Sequence, residues 1–542
     1  MVNLFIICIY KVLGRIKLEI INKLNINGNT IFENYKNKNT INALNSILNE
    51  TKNCRSKYKS LLLDGGFYNL GYFYRLQLLR SALKSGKTKE HAFIWDCNIK
   101  VCKNLLNSIG IDKIFFLEKI SDHNLLAEAD YLSQQINSKK DLISIKLPHL
   151  IPGAYLYDMI LKIQRKATVD ITDKNLKEYI YKFLCWIKFS EDLLNKCNPD
   201  IVILSHSISY QCTPMAWLSS KRKIPTIISG GDFGIPRLWK IINPHDIYYG
   251  TGRPTKKDFK IIPNDKKSSL ILAGKKYIIN RISGKSSDIG AKYAFQGRRD
   301  KISKLGIDQK KYKKIISIYS ACFFDFPHCY GMKRFTDMLD WLQLTIRKAS
   351  LKKDVLWLLK PHPMEQWYGG VKLSDIVKNQ LPENIVLLPY NYSGKDVLEI
   401  SDGLITFHGT SAIEYAAMGK AVLVADRGWY HDCEFVLFPK SREDYSNLLT
   451  KNWFELINFD KAKKNAMLFA GLFYGIPTWQ KNCILPDDSD KKLLRAKLPY
   501  LIKNKRKIIK KEIKLMKKWI NSESKFYHNF KIENSKIFTN LI

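Results

Sequence analysis

The stretches DVLWLLKPHP (354–363) and DGLITFHGTSAIEYAAMGKAVLVAD (402–426) decide how this chain folds. Each opens on an apolar run, VLWLL or GLITF, that is too short for a typical helix and ends in polar or turn-forming residues. In the second stretch the run gives way to a good helix former, AIEYAAMG, and then to another apolar run, KAVLV, with Gly419 as the helix stop between them. Uninterrupted apolar runs joined by helices are the pattern of parallel strands buried on both faces. Ligands of such sheets bind beyond the carboxyl ends of the strands, so Lys360, His362 and Pro363, and the run His408 to Glu414, stand where chemistry is expected.

In KPHP the prolines at 361 and 363 fix extended backbone, so a cation and an imidazole leave the sheet on a rigid turn. Lysine supplies charge and histidine a directed N–H donor, a pair suited to a nucleotide phosphate. A purely structural strand-end turn is the plain alternative. In HGTSAIE, Gly409 allows close backbone approach, while Thr410 and Ser411 precede a helix whose first amides are open to an anion. Glu414, in the first turn, reads either as a capping carboxylate or as an acceptor for ribose or base hydroxyls.

Working outward, KKIISIYSACF (313–323), the amphipathic RFTDMLDWLQLTIRKASL (334–351) and ENIVLLPYN (383–391) complete a five-run strand and helix alternation. A second alternation begins with SLLLDGG (60–66), passes through FYRLQLLRSALKSG, HAFIWD, KVCKNLLNSIG and KIFFLE, and resumes after a helix-rich section, 121–196, with PDIVILSHS and PTIISGGD. The expected architecture is therefore α/β with two Rossmann-like lobes and a cleft between them. The expected divisions are a helical segment at 1–55, a first lobe at 56–250 with a helical insertion, a basic connection at 251–312, a second lobe at 313–490, and a basic helical tail at 491–542. A length of 542 residues agrees with more than one core.

Lysine and arginine number 89 against 50 acidic residues, a formal net charge of +39 that attracts something acidic: phosphorylated substrates, anionic lipid or nucleic acid. Nucleic acid is set aside, because basic runs with interleaved aromatics and a recognised reader fold are both missing. The eleven cysteines form no C-x-x-C pair and sit mainly in apolar runs, as reduced buried thiols do. The N-terminal apolar run is too short to span a bilayer. The tail KNKRKIIKKEIKLMKKWI (503–520) reads as a basic helix, either a solvated charged face or one that rests on anionic lipid. Those features lead to an expected cytoplasmic location, peripheral on the inner face of the membrane.

KPHP followed by S-D-x-x-I-T-x-x-G-T-S-x-x-E-x-x-x-x-G-K resembles the donor lobe of GT-B glycosyltransferases, in particular the capsule and lipopolysaccharide enzymes related to bacterial Kdo and sialic-acid transferases. The resemblance covers about 313–430 in detail and is architectural before that. It implies a nucleotide-sugar donor as substrate, with His362, Thr410 and Ser411 near its phosphate and Glu414 near its ribose or base. No cofactor and no essential metal are implied.

An inverting transferase needs a general base for the acceptor hydroxyl, and the first lobe offers three strand-end candidates in order of preference: Asp64, His206 and Asp232. The loop SACFFDFPHCYGMKRF (320–335) contributes Ser320, Lys333 and Arg334 as residues facing phosphate or acceptor. The expected reaction is transfer of a sugar to a growing surface polysaccharide or lipid-linked glycan. A CDP-polyol phosphotransferase of the teichoic-acid type, a nucleotide-sugar 2-epimerase and a non-catalytic glycan-binding scaffold are the rivals.

Overall fold

The structure is a computed structural model. It describes residues 38–49, 57–66, 70–95, 99–117, 122–209, 211–230, 237–247, 253–286, 289–295, 297, 308–363, 365, 369–377, 381–475, 499–500, 502–523 and 525–527. Asp232 and most of the N-terminal segment lie outside them.

In chain order the first lobe comprises α1 (Lys38–Asn49), β1 (Ser60–Asp64), α2 (Leu70–Leu83), β2 (Lys89–Ile94), α3 (Ile99–Ser108), β3 (Lys113–Phe116) and the two-residue strands β4 (Lys146–Leu147) and β5 (Ile151–Pro152). It continues with α4 (Gly153–Gln164), α5 (Leu176–Cys197), β6 (Ile201–Leu204), α6 (Cys212–Lys221), β7 (Thr226–Gly230) and β8 (Arg237–Ile241). The second lobe holds α7 (Asn264–Ile282), β9 (Lys314–Tyr319), α8 (Met338–Ala349), β10 (Val355–Lys360), β11 (Ile385–Leu387), α9 (Gly394–Ile400), β12 (Gly403–Thr406), α10 (Ser411–Ala417), β13 (Ala421–Val424) and α11 (Phe459–Phe473). The tail adds α12 (Arg506–Ile520) and β14 (Phe526–Tyr527).

The sheets run β14-β8-β7-β6-β1-β2-β3 and β11-β10-β9-β12-β13. From β3 to β7 the first is parallel, and the second is parallel throughout. Each parallel core therefore has the doubly wound order in which the chain starts in the middle and reverses direction, at β1/β6 in one lobe and β9/β12 in the other. That switch point opens a crevice beyond the strand ends. The two Rossmann-like lobes expected from the strand and helix alternation are present.

The tail differs from a solvated or lipid-bound helix. Ile509, Ile513, Met516, Trp519 and Ile520 recur on one face of α12 and are buried with α2 in the core of the first lobe. Burying that face is worth far more than wetting it, at about 25 cal/mol per Å² of apolar surface. Beyond the helix, β14 pairs antiparallel with β8 and covers the sheet edge. Lys240 on β8 donates to the carbonyls of Trp519 and Ser522, satisfying the last turn of α12.

The stretch expected as a basic connection also joins a lobe. Within it, α7 crosses α11 so closely that a Cβ on Gly274 would lie 1.9 Å from the Met467 carbonyl oxygen, and one on Gly471 equally close to that of Leu270. Two facing glycines let the backbones touch, which the weak apolar periodicity of 251–312 hides.

The helical insertion ties the lobes together. Residues 153–161 of α4 are all buried, and one continuous apolar core holds Tyr157, Ile160, Leu204, Phe323, Met332, Trp341 and Trp357. Asp158 of α4 accepts from the main-chain N–H of His328 at 3.2 Å and of Cys329 at 2.8 Å, and pairs with His328 Nδ1 at 2.7 Å. Lys162 and Asp325 add an ion pair at 2.8 Å. Among the described residues no helix is long and apolar enough to cross a membrane.

Candidate functional site

The loop after β9 carries the second lobe to the first. The thiol of Cys329, in that loop, lies within hydrogen-bonding reach of Thr213 and the Ser209 backbone, so the loop after β9 meets the segment that follows β6. The two switch points thus lie on either side of one junction.

On the first-lobe side, Asp64 ends β1 with no exposed surface. One carboxylate oxygen accepts from Gly66 N–H at 2.9 Å and from Trp95 Nε1. A Cβ at Gly66 would stand 2.3 Å from that indole nitrogen, so the second glycine of DGG is what lets Trp95 reach the carboxylate. The other oxygen accepts from Ser205 N–H at 3.0 Å and from the Ser205 hydroxyl, with the Cys212 thiol at 3.9 Å. His206 Nδ1 lies 3.0 Å from Ser205 Oγ, and the ring is exposed in a recess. Desolvation by surrounding protein lowers its pKa; the Asp64 charge opposes this and Arg75 adds to it.

On the second-lobe side, Ser320 follows β9 and His408 follows β12. Ser320 is 6% exposed and His408 9%, and among the described residues neither Ser320 Oγ nor His408 Nδ1 has a hydrogen-bond partner. Buried polar atoms are normally paired, because leaving one unpaired costs about 1–3 kcal/mol. His362 stands with them, half-buried after β10. Burial pulls both imidazoles down to about 4, the Asp325 charge opposing it in each case. Both rings are neutral at pH 7. Tyr330 packs 6.0 Å from His408, centroid to centroid.

The remaining predicted residues divide. Lys360 is buried, 1% exposed, and its ammonium donates to the Tyr392 carbonyl at 2.8 Å, away from this crevice. Burial lowers its pKa to about 8. Glu414 is ion-paired inside the lobe with Arg281 of α7, which also donates to Thr410 Oγ1 at 3.2 Å. Thr410 makes no side-chain cap on α10, and the Gly409 carbonyl accepts from the Tyr430 hydroxyl at 2.6 Å. Ser411 begins α10 and Pro363 follows His362, both half-buried. Lys333 and Arg334 donate their main-chain N–H groups to Asp426 at 2.8 Å each. The Arg334 guanidinium lies 4.4 Å from the Phe438 ring, and Lys333 is exposed.

No motif in the sequence marks Arg281, Asp158 or Lys162. Each is an unremarkable residue of a helix, and its partner is more than a hundred positions away. Among the described residues no group of three or more His, Cys, Asp or Glu side chains is placed to hold a metal ion.

No family model matches the chain, and no curated protein matches it. Solved structures similar to it include the UDP-GlcNAc 2-epimerase of Neisseria meningitidis bound to UDP-GlcNAc, 12% identical, covering 76% of this chain and 97% of that one with a TM-score of 0.28. The spinosyn rhamnosyltransferase SpnG is 10% identical over 76% of this chain and 95% of its own, with a TM-score of 0.25. The glycosyltransferase SnogD of Streptomyces nogalater is 11% identical over 77% and 94%, with a TM-score of 0.23. The two-lobed fold is given by the strand orders of the two sheets.

Proposed function

We propose that the protein is a glycosyltransferase that binds a nucleotide-sugar on the second lobe and transfers the sugar, by direct displacement with inversion, to a glycan or lipid-linked glycan held against the first. The observation that carries this reading is the pair of buried polar atoms, Ser320 Oγ and His408 Nδ1, that have no partner among the described residues and stand on either side of the second switch point. A ligand that accepts or donates hydrogen bonds there would satisfy both. With His362 they offer neutral, directed donors to the phosphate of a leaving nucleotide, beside the start of α10.

In the reaction the acceptor hydroxyl gives its proton to His206, and its oxygen forms the new bond to the anomeric carbon. The bond from that carbon to the phosphate oxygen breaks, and the nucleotide departs with the electron pair. His206 is preferred as base over Asp64, whose oxygens are already filled by four donors and the Cys212 thiol in a fully buried site. The donor class we favour is CMP-linked, of the Kdo or sialic-acid kind, on the motif resemblance at 360–363 and 408–414. Lys360 has no part in phosphate binding in this reading.

Thermal-shift titration with CMP, CDP, UDP and GDP tests the donor site. A nucleotide at 100 times its Kd stabilises the fold by about 2.7 kcal/mol. We expect stabilisation by CMP that His408→Ala and Ser320→Ala weaken and Lys360→Met does not. Preference for UDP or GDP would discard the donor class, and no shift with any nucleotide would overturn the site.

A further inference from the structure

We propose that Ser205 is a positioning residue that joins the buried Asp64 carboxylate to the His206 ring, so that the three side chains act as one unit and hold His206 with its proton on Nδ1 and its basic nitrogen on Nε2. The inference rests on reading His206 as the base and adds how the fold prepares it.

The direction of the chain follows from chemistry. A carboxylate only accepts hydrogen bonds, so in the Ser205 to Asp64 contact the hydroxyl is the donor. Its proton is committed there, and its lone pairs face outward. His206 Nδ1, 3.0 Å from the same oxygen, can therefore only be the donor in that contact. The neutral ring then carries its lone pair on Nε2.

Ser205 is well placed for this. Its own N–H donates to the same Asp64 oxygen at 3.0 Å, so main chain and side chain clamp one atom. The second oxygen is held by Gly66 and Trp95, and the Tyr72 hydroxyl donates to the Asp64 carbonyl at 2.6 Å. The carboxylate has no freedom to turn and no path to a substrate. Its charge reaches the crevice through the serine hydroxyl.

When the acceptor proton arrives at Nε2, the proton on Nδ1 stays where it is. None passes to Asp64. The imidazolium so formed is held by the hydrogen bond to Ser205, which the carboxylate polarises. Among the described residues the other charged or titratable groups facing this unit are Arg75, Tyr72 and Cys212.

Acylation of His206 by diethyl pyrocarbonate, followed by peptide mass spectrometry from pH 5 to 8, reads the basicity of this ring in the intact protein. Ser205→Ala should move the half-point of reactivity to lower pH by about half a unit or more, since a bond to the charged form is lost. Asp64→Asn should move it in the same direction, and adding Ser205→Ala to that variant should add little. Ser205→Thr, which keeps the hydroxyl, should retain the wild-type profile. An unchanged half-point in Ser205→Ala would overturn the proposal; if circular dichroism shows that variant to be misfolded, an unchanged half-point in Asp64→Asn does so. Failure of the underlying reading looks different: a His206→Gln variant that still transfers sugar at the wild-type rate removes the base but leaves the acylation profiles of the other variants intact.

Discussion

At His362 and His408 the local environment has a consequence for acid stability. Both are held neutral down to about 4, against an ordinary value of 6.5. Below 6.5 the unfolded chain takes up protons that the folded one refuses, so their contribution is complete above pH 6.5 and is lost as pH falls toward 4. At about 1.4 kcal/mol per unit, each costs about 2 kcal/mol of stability between pH 6.5 and 5. Urea unfolding at the two pH values should show this loss, and His408→Gln should reduce it by about half. A wild-type protein equally stable at pH 5 would contradict the buried placement of both rings. The same scale shows what could be read from letters alone. His362 and His408 stand out in the letters as strand-end residues because each follows an apolar run. Lys360 follows Leu356 and Leu358 in the two-residue pleat, and so shares their face of the sheet, against Leu388, Tyr392 and Val397, a placement that the alternation already implies.

Elements explain why the rest was harder to see. Strand runs such as SLLLD and VLWLL declare themselves, since parallel strands buried on both faces are apolar throughout. The α7 and α11 pair does not, because its contact is made by absent side chains at Gly274 and Gly471 rather than by present ones. Gly274→Ala should therefore destabilise the second lobe by several kcal/mol, as overpacking against backbone does, although alanine is the better helix former by about 1 kcal/mol. Thermal unfolding followed by circular dichroism checks the sign; a stabilised variant would mean that the two helices cross further apart. The crossing also brings Arg281 onto Glu414, an ion pair that fixes α7 to α10.

For the whole molecule, the apolar face of α12 is spent on the first lobe, and an outer basic face with Arg506, Lys507, Lys510, Lys511, Lys514 and Lys518 remains exposed. We propose that any attraction to the inner membrane face is electrostatic adsorption without insertion, at about 1 kcal/mol for each lysine near an anionic surface. Sedimentation with vesicles containing phosphatidylserine should be strong at 0.05 M salt and lost at about 0.5 M, where charges more than a few ångströms apart are screened. Replacing Lys507, Lys511 and Lys514 by glutamate should weaken it without lowering the melting temperature by more than a degree or two, since solvated side chains contribute little to folding. Salt-resistant binding would require buried apolar contact with lipid instead.

The return of the tail also sets an order of events during synthesis. Tyr74 and Glu512 are neighbours in space and 438 positions apart in sequence. A nascent chain on the ribosome reaches α2 early, yet the surface that α12 covers stays bare until nearly all the described residues have been made. The later-made lobe, whose sheet lies between 314 and 424, has its strands complete first. The lobe that begins first is finished last, and in the interval Tyr74 and its apolar neighbours on α2 are what a chaperone would meet.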